Sequence, residues 1–357
     1  MTNKVTKWIR PDISALAAYH VPDATGLLKL DAMENPYRWP APMVDEWLSV
    51  LKAVELNRYP DPDAEELKAL LRTHFAIPSQ AAVLLGNGSD ELIQMILMAV
   101  SGQDRVVMSL EPSFVMYRMI ATFLAMPYVA VPLAEDFALD KASVLRAMQQ
   151  HQPAVIFIAY PNNPTGNLFP EQDILDIITA TDAIVVVDEA YFSFADASFM
   201  ARVMQYENLL VMRTVSKMGL AGLRLGYMAG PPVLLNEFDK VRLPYNINVL
   251  TQASTQFALR HIEVLNQQTE QIKQDRESLF QSMSGIEGLT VYPSAANFIL
   301  FRTAKGQADK IFNGLKEQRV LIKNMHKADT PLTDCLRVTV GSAEENTKFL
   351  TVLQSVL

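Results

Sequence analysis

The chain has 357 residues, of which 50% are hydrophobic and 20% charged, a composition that argues against intrinsic disorder and against a coiled coil. Its 31 lysine and arginine residues stand against 39 aspartate and glutamate residues, and the net charge of −8 argues against nucleic acid or an anionic membrane surface as the main partner. The length suffices for two domains, or for one large domain with an appendage, and the single cysteine, Cys335, excludes an internal disulfide and a multi-cysteine metal site.

The first 45 residues carry little regular pattern. The opening residues MTNKVTKWIRPD are positively charged but lack the apolar stretch of a secretory signal. The most apolar stretch of the chain, residues 119–134, is interrupted by two prolines and is too short to span a bilayer. We therefore expect a cytoplasmic protein. The first clear helix is predicted to have Asp61 as its N-cap and Pro62 as its first residue.

Seven short apolar runs follow between residues 82 and 230. They are rich in valine and isoleucine and do not alternate with polar residues, which is typical of strands buried on both faces of a sheet. Helical patterns lie between several of these runs, so we expect an α/β fold with a mostly parallel central sheet flanked by helices. The runs are AVLL (82–85), RVVMSL (105–110), YVAVPL (128–133), AVIFIA (154–159), AIVVV (183–187), LLVM (209–212) and GYMAG (226–230).

The pattern changes after about residue 249. Residues 249–284 predict one extended amphipathic helix, and the short alternating runs NFILFR (297–302) and CLRVTV (335–340) surround a further helix. This order predicts a smaller α+β domain. We expect a large α/β domain over residues 46–261 and a small domain built from residues 1–45 and 262–357.

Five of the apolar runs are followed directly by polar, glycine or aromatic residues. Ligands of open parallel sheets bind just beyond the carboxyl ends of the strands, so these segments should meet at one edge. Together they predict a site for a flat, polar, phosphorylated ligand. The segments are GNGSD (86–90), EPSF (111–114), YPNNPTG (160–166), DEAY (188–191) and RTVSK (213–217).

The segment 86–90 is a glycine-bearing turn at the start of a helix, where backbone N–H groups and the helix dipole suit a phosphate. It is also typical of a plain turn that caps a helix. The segment does not match the dinucleotide-binding fingerprint, because Glu91 stands where the third glycine would be, and the chain has no P-loop motif.

Asp188 and Asn163 are the next candidates. Asp188 follows three valines at the mouth of a buried strand, where a carboxylate needs a partner, either a protonated ring nitrogen or a buried basic side chain. Asn163 is held extended by the proline that follows it, so its amide could donate to a phenolate oxygen or simply form a turn.

Lys217 is the most specific candidate for a reactive residue. It lies at a strand end and is followed by the small-residue run GLAGL, which would crowd the amine against backbone. Desolvation or a neighbouring cation lowers the pKa of a lysine and makes its amine nucleophilic, although most lysines simply lie at the surface. Arg224, seven positions later, could return to the same site as a fixed cation for a phosphate.

Several of these segments together resemble the fold-type-I pyridoxal-phosphate aminotransferases. The resemblance extends from LDAMENPY (30–37) to CLRVTVG (335–341), and GNGSDELI together with NRYPDP (57–62) is most similar to the histidinol-phosphate branch of that family. The resemblance implies a large domain with a mostly parallel sheet and a smaller α+β domain. The other segments that carry it are YPNNPTG, VDEAYFSF and RTVSKMGLAGLRLGY.

The resemblance implies a pyridoxal 5'-phosphate cofactor. Lys217 would form a Schiff base with it and later move the proton, and Asp188 would keep the ring nitrogen protonated, so that the ring acts as an electron sink. Asn163 and Tyr191 would hydrogen-bond the phenolic oxygen, and Phe114 would stack on the ring. The residues implied to bind the cofactor phosphate are Ser89, Asp90, Ser216, Arg224 and, from the neighbouring subunit of a homodimer, Tyr59.

The substrate residues implied by the resemblance are Arg337, for the carboxylate of glutamate, together with Tyr19, Asn35 and Lys323. Many relatives have an arginine where this chain has Lys323, at the position implied for the substrate phosphate; a lysine retains the charge but loses the bidentate fork. The stretch from Lys217 to Arg224 is one residue shorter than the common SKAFGLAGLR pattern, which shortens a loop.

The implied reaction is transamination between L-glutamate/2-oxoglutarate and histidinol phosphate/imidazole acetol phosphate, a step of histidine biosynthesis with ping-pong kinetics. Two alternatives on the same fold are an aromatic amino-acid aminotransferase and a phosphothreonine decarboxylase. A third alternative, from another class, is a nucleotide-binding module without catalysis, against which the missing third glycine and the absent P-loop lysine weigh. The five histidines are scattered and predict no metal site.

Overall fold

The computed structural model describes residues 4, 7–18, 21–102 and 104–357. A seven-stranded sheet forms the centre of the fold, with the strand order β2-β8-β7-β6-β5-β3-β4. Each of the seven apolar runs forms one of these strands, as predicted. The strands are β2 (Ala82–Asn87), β3 (Val107–Glu111), β4 (Tyr128–Pro132), β5 (Val155–Ala159), β6 (Ile184–Asp188), β7 (Leu209–Thr214) and β8 (Leu225–Gly230).

The sheet is mostly parallel, which confirms the predicted fold class. Strand β8 runs antiparallel to both of its neighbours, β7 and β2, while the other pairs are parallel. The connection from β7 to β8, residues 215–224, is too short for the crossover that a parallel pair requires, so the chain turns back on itself. This reversal carries both Lys217 and Arg224 to the end of the sheet where the parallel strands terminate.

Helices cover both faces of the central sheet, and the strands are therefore apolar on both sides. In β6, Val185 and Val187 belong to the apolar core on one face, while Val186 belongs to the core on the other. This explains why the strand sequences do not alternate with polar residues. In the described part of the chain, the α-helices bounded between residues 11 and 239 are α1 (Pro11–Ser14), α2 (Ala41–Lys52), α3 (Glu65–His74), α4 (Gly88–Val100), α5 (Met116–Phe123), α6 (Lys141–His151), α7 (Glu171–Thr179) and α8 (Pro232–Asp239).

A second, antiparallel sheet of four strands has the order β12-β13-β10-β9. It has its own apolar core, which includes Phe298, Phe301 and Phe349. The N-terminal part of the chain joins this region, because β1 (Leu28–Lys29) pairs in parallel with β11. The remaining elements are α9 (Val249–Arg260), α10 (Ile262–Ser284), β9 (Thr290–Val291), β10 (Phe298–Arg302), α11 (Ala308–Glu317), β11 (Val320–Leu321), β12 (Lys323–Asn324), β13 (Cys335–Thr339) and α12 (Ala343–Val356).

Two predictions about helices are wrong. Residues 249–284 form two helices, because His261 leaves the helical conformation (φ −113°, ψ 35°) and its ring Nδ1 lies 3.0 Å from the carbonyl oxygen of Phe257. Asp61 is not an N-cap; α3 begins after Ala64, whose backbone is left-handed (φ 47°), and the Asp61 carboxylate instead accepts from the N–H of Asp63 (3.1 Å) and of Glu65 (3.2 Å). Polar side chains that bind nearby backbone groups compete with helix continuation in this way.

The predicted domain division at residues 45/46 and 261/262 stays a prediction. Within the described part of the chain, every helix is too short or too polar to cross a lipid bilayer.

Candidate active site

A cavity of about 770 Å³ lies where β5, β6 and β7 end, and it brings together eleven of the fourteen predicted site residues. Its two sides differ in chemistry. We call the charged, amide and phenol side chains on one side the polar floor: Asn163, Asp188, Tyr191, Lys217 and Arg337. We call the opposite side, built from the N-terminal segment and α5, the apolar wall: Ile13, Leu16, Val21, Met116, Met119 and Phe123.

Lys217 lies on a single π-helical turn, Ser216–Leu220, directly after β7. Its Nζ donates a hydrogen bond to the carbonyl oxygen of Ala32 at 3.2 Å and lies 5.9 Å from the ring centroid of Tyr191. Burial, with a further contribution from the guanidinium of Arg337, lowers the pKa of Lys217 to about 8. The amine is therefore much closer to its neutral, nucleophilic form at physiological pH than an exposed lysine is.

The turn that carries Lys217 depends on Gly219, whose φ is 119°. A Cβ at this position would also lie 2.9 Å from Nδ2 of Asn35. Asn35 supports the turn from behind, donating from Nδ2 to the carbonyl oxygen of Met218 (3.3 Å) and to Oε1 of Gln268 (3.0 Å). Asn35 therefore does not line the cavity, contrary to its expected place on the substrate pocket, because these two bonds hold its amide behind the turn.

Asp188 ends β6 and is buried. Its Oδ2 accepts a 2.6 Å hydrogen bond from the hydroxyl of Tyr117, and its Oδ1 accepts from the backbone N–H of Ala190 at 3.1 Å. Burial raises the pKa of Asp188 to about 6, although both donors act in the opposite direction.

The next residue, Glu189, forms a buried ion pair, which Asp188 does not form with any described residue. Glu189 is equally buried but is paired with Arg213 at 2.8 Å. Among the residues that the structure describes, Asp188 forms no ion pair with a lysine, arginine or histidine. The buried basic side chain that the sequence left open as a partner is therefore not found there. A buried carboxylate with neutral donors alone is suited to a cationic ligand group.

Asn163, Tyr191 and Arg337 are linked by hydrogen bonds. Arg337 donates from Nη1 to Oδ1 of Asn163 at 2.6 Å, and Asn163 donates from Nδ2 to the hydroxyl oxygen of Tyr191 at 3.1 Å. Arg337 also donates from Nη2 to the carbonyl oxygen of Asp31 at 3.2 Å. Burial raises the pKa of Tyr191, so its hydroxyl stays protonated and can donate. The amide of Asn163 thus has a fixed orientation at the floor.

The start of α4 forms a cradle for an anion. A Cβ on Gly226 would lie 2.7 Å from the backbone N of Ser89, so this glycine lets β8 approach the helix start closely. A Cβ on Gly88 would lie 2.8 Å from Nη2 of Arg224, which places the guanidinium directly above the turn. Arg224 also donates to the Ser216 hydroxyl at 3.5 Å. A helix N-terminus beside a guanidinium is suited to a phosphate.

Asp90 lies in the first turn of α4 beside this cradle, and its carboxylate is 3.9 Å from Nη2 of Arg224. Its Oδ1 is buried and has no hydrogen-bond partner among the described residues; burial raises the pKa of the carboxyl, while Arg224 and Lys217 lower it. Such an unsatisfied acceptor is costly unless a ligand donor or water reaches it. Arg224 lies over the start of α4 although the stretch from Lys217 to Arg224 is one residue shorter than the common pattern. The shorter loop has not removed the guanidinium from the cradle.

The remaining predicted site residues fall into three groups. Phe114 lines the cavity and meets Tyr117 edge-on, and Lys323 lines it opposite Arg337, since the two are register partners on β12 and β13. Tyr59 does not line the cavity; it is 80% exposed and stacks on Tyr245 with 4.4 Å between the ring centroids. Tyr19 lies outside the described residues.

Two features of the site were missed from the sequence. Tyr117 contacts Asp188 from beneath the cavity, and it lies three positions after Phe114, which lines the cavity. This spacing places the two side chains on the same side of the segment and could have indicated that Tyr117 lies near the site. The apolar wall gave no such signal, because its N-terminal half has no periodic pattern.

The chain was compared with known families and proteins. The family model described as aminotransferase class I and II matches residues 25–353. The relative named histidinol-phosphate aminotransferase 2 of Nitrosococcus oceani is 53% identical over 353 residues, covering 99% of this chain and 98% of its own length. The histidinol-phosphate aminotransferase of Chromobacterium violaceum is 48% identical over 350 residues, covering 98% of each chain.

Solved structures show the same fold. The histidinol-phosphate aminotransferase of Sinorhizobium meliloti, solved in complex with pyridoxal-5'-phosphate, superimposes with a TM-score of 0.86 at 23% identity and covers 99% of each chain. The L-threonine-O-3-phosphate decarboxylase of Porphyromonas gingivalis superimposes with a TM-score of 0.75 at 22% identity, covering 91% of this chain and 98% of its own. The fold alone therefore does not separate these two activities.

Proposed function

The chain belongs to the class I and II aminotransferase family, and from this premise we propose that it transfers the amino group of L-glutamate to imidazole acetol phosphate, a step of histidine biosynthesis. The products are 2-oxoglutarate and histidinol phosphate, so one amino group and one keto oxygen change places. The cofactor is pyridoxal 5'-phosphate. The observation that carries the proposal is one cavity that holds a desolvated amine, a buried carboxylate with no cationic partner among the described residues, and two further cations for the substrate.

The residues present fit this cofactor. Asp188 is buried and forms no ion pair within the described part of the chain, so it suits a protonated ring nitrogen, and the glycine cradle with Arg224 suits the phosphate. The Asn163–Tyr191 pair presents donors for the phenolic oxygen, and Phe114 presents a flat face to the cavity. When bound, the cofactor supplies an aldehyde that links to amines and a ring that accepts electron density from the reacting carbon.

Lys217 would act twice. Its Nζ, with the pKa lowered to about 8 by burial and by Arg337, would be the amine that holds the cofactor. In its neutral form, the same Nζ would take the proton from the α-carbon of the substrate and later give it back. A general base with a pKa near the working pH is suited to both proton transfers.

Asp188 would hold the ring nitrogen in its protonated form through a carboxylate that stays ionised at neutral pH. Asn163 and Tyr191 would fix the opposite edge of the ring, since their side chains are already hydrogen-bonded to each other. These groups are rigid before the ligand arrives, so little reorganisation accompanies the reaction.

The substrate would be held by two cations on neighbouring strands. We assign the carboxylate of glutamate to Arg337 and the phosphate of the imidazole substrate to Lys323, whose Cα positions are paired across β13 and β12. The apolar wall would cover the imidazole ring and exclude water from the reacting atoms. One pocket can then accept either a carboxylate or a phosphate at its charged end.

We further propose a homodimer that works in the cytoplasm, where glutamate and 2-oxoglutarate are available. The exposed stack of Tyr59 on Tyr245 supports a second subunit on this face, and the apolar side chains of Leu56 and Leu243 nearby in sequence are also exposed. In this arrangement Tyr59 reaches the phosphate of the partner's cofactor.

An aromatic amino-acid aminotransferase is the second candidate, and the apolar wall favours it, since a phenyl side chain could pack there without Lys323. A phosphothreonine decarboxylase is the third and would release carbon dioxide. Steady-state assays with histidinol phosphate, phenylalanine and phosphothreonine distinguish the three.

The experiment combines turnover with labelling. We expect the purified protein to be yellow, to convert histidinol phosphate with 2-oxoglutarate as acceptor, and to carry the cofactor on the peptide containing Lys217 after borohydride reduction. The Lys217→Ala variant should bind cofactor without becoming labelled and should lack turnover. Label on another lysine, or preferred turnover of phenylalanine or phosphothreonine, would contradict the proposal.

A further inference from the structure

Tyr117 lies beneath the cavity on α5, with its side chain entirely buried. Its ring stacks on Phe157 of β5, with 4.7 Å between the ring centroids and 9° between the planes. On another side it meets Phe114 edge-on, with the centroids 5.6 Å apart. These contacts fix the ring, so its hydroxyl points to one place, Oδ2 of Asp188 at 2.6 Å.

The surroundings of Asp188 oppose its negative charge. Burial and the nearby carboxylates of Asp90 and Glu189 all favour the protonated acid. The charge of Glu189 is offset by Arg213, but no such cation is paired with Asp188 among the described residues. Lys217 and Tyr191 face the same cavity.

Of the residues that the structure describes, two donate to the carboxylate and favour its ionised form, through the Tyr117 hydroxyl and the backbone N–H of Ala190. Each oxygen of Asp188 receives one of them, so the plane of the carboxylate is fixed by two bonds. Of the two donors, the hydroxyl is the one that belongs to a side chain and can be removed by substitution. It is also the shorter bond, at 2.6 Å against 3.1 Å.

We propose that Tyr117 is a positioning residue for the reaction, whose hydroxyl keeps Asp188 ionised and fixes the plane of its carboxylate toward the cofactor ring nitrogen. Phe114, which presents its ring to the cavity, lies three positions earlier and touches Tyr117. One short segment, 114–117, therefore places both the face that covers the ring and the donor that orients its acid. This inference rests on the proposed function, because the ring nitrogen is that of pyridoxal phosphate.

The consequence is a specific pH effect. Removing the hydroxyl leaves Asp188 with one hydrogen-bond donor in place of two, while burial and the two nearby carboxylates still favour its protonated form. The pKa of Asp188 should therefore rise. A protonated Asp188 cannot pair with a protonated ring nitrogen, and cofactor affinity falls. As the pH is lowered, the affinity of the Tyr117→Phe variant for the cofactor should therefore begin to fall at a higher pH than that of the wild type. The ring contacts with Phe157 and Phe114 remain in this variant.

The test measures the Kd of the apoprotein for pyridoxal phosphate between pH 5 and 8.5. We expect Tyr117→Phe to weaken binding about tenfold near pH 6 and to move the midpoint of the acidic decline upward by about one pH unit. The cofactor phosphate titrates in this range too, but it does so in every variant, so the difference between variants reports the protein. Tyr128→Phe is the matched control, because it removes another tyrosine hydroxyl, one bonded to Ser109 and Glu111 and not to Asp188.

A double-mutant cycle tests whether Tyr117 acts through Asp188. In an Asp188→Asn background, Tyr117→Phe should cause no further shift of the midpoint. Site-specific 3,5-difluorotyrosine at position 117 keeps the ring and has a more acidic hydroxyl, which donates more strongly, so the midpoint should move downward. This second variant tests the inference even if Tyr117→Phe folds poorly.

The outcomes separate this inference from the proposed function. An unchanged midpoint in Tyr117→Phe, an equal shift in Tyr128→Phe, or the same shift in the Asp188→Asn background would each overturn the role of Tyr117. Failure of the wild-type apoprotein to bind pyridoxal phosphate at any pH would instead overturn the proposed function itself.

Discussion

The polar floor and the apolar wall of the cavity are held in place in different ways. On the floor, Asp188 and Tyr191 are 3% and 4% exposed, and their polar atoms are bonded to other residues of the fold. On the wall, Leu16 and Val21 are 38% and 65% exposed although they line the same cavity. The floor is thus fixed before any ligand binds, whereas the wall still has apolar surface to bury.

The floor is also held more firmly to the rest of the fold than the wall is. Four of the five floor residues lie at or just beyond the ends of β5, β6 and β7, whose residues are almost all buried, and Arg337 lies within the buried strand β13. The N-terminal part of the wall is attached through Arg10, which donates from Nη1 to the carbonyl oxygen of Phe123 (3.0 Å) and from Nη2 to that of Thr122 (2.6 Å) at the end of α5. These bonds are exposed to solvent and contribute less than buried ones. Substitutions in the floor should therefore change the chemical step, and substitutions in the wall should change substrate binding.

The largest effect is expected from Asp188→Asn. The amide retains the shape of the side chain but cannot balance a protonated ring nitrogen, so kcat for transamination should fall by about a thousandfold. The decrease should appear with both glutamate and histidinol phosphate, because both substrates use the same ring. Equal kcat in the variant and the wild type would show that the floor does not act through this charge.

The same substitution should stabilise the protein without its cofactor. The pKa of Asp188 in the folded chain is about 6, above its usual 3.8, so the folded state binds the proton more tightly than the unfolded state. Stability from this group is present below about pH 4 and is lost as the pH rises to about 6. The Asp188→Asn variant has no group to ionise here, so its free energy of unfolding at pH 7 should exceed that of the wild-type apoprotein by about 3 kcal/mol. Urea unfolding of the apoprotein at pH 4 and pH 7 measures it.

Glu189→Gln is the control for this stability effect. The neighbouring carboxylate is also buried, but its loss leaves Arg213 as an uncompensated buried charge. Glu189→Gln should therefore destabilise the apoprotein by about 3 kcal/mol, the opposite sign to Asp188→Asn. If both substitutions changed the free energy of unfolding in the same direction, burial alone, and not the presence or absence of an ion pair, would determine the stability of this part of the site.

The contrast between floor and wall also explains what could be predicted from the sequence. Lys217, Asp188 and Asn163 were found because strands buried on both faces end at one edge, and polar residues there are conspicuous. Arg10 was not found, because its partners lie 112 and 113 residues away and a surface arginine has no pattern. The break at His261 was missed for a similar reason, since the amphipathic pattern continues through it.

A smaller effect is expected from Lys323→Ala, next to Arg337 of the floor. The variant loses a charge-assisted contact to the substrate phosphate, so the KM for histidinol phosphate should rise about twentyfold, while the KM for glutamate should change much less. Lys323→Arg is the matched control; it retains the charge, can bind phosphate through two N–H groups, and should restore the KM. Equal increases for both substrates would remove Lys323 from the phosphate role.

The smallest effect is expected from Arg10→Ala, which releases the N-terminal part of the wall from α5. Because Arg10 makes exposed bonds to two backbone carbonyls, its loss should raise the KM for histidinol phosphate about threefold and leave both kcat and cofactor affinity unchanged. Hydrogen exchange of residues 11–18 should become faster in the same variant, which links the kinetic change to the segment itself.

Asp12→Ala separates the attachment from the surface ion pair. Asp12 bonds to the same guanidinium, at 2.9 Å, but both side chains are more than 40% exposed, and such pairs contribute little. Asp12→Ala should therefore leave the KM near the wild-type value, since Arg10 still reaches the end of α5. A kcat loss in Arg10→Ala comparable to that of Asp188→Asn would break the comparison, because the wall would then contribute to the chemical step as the floor does.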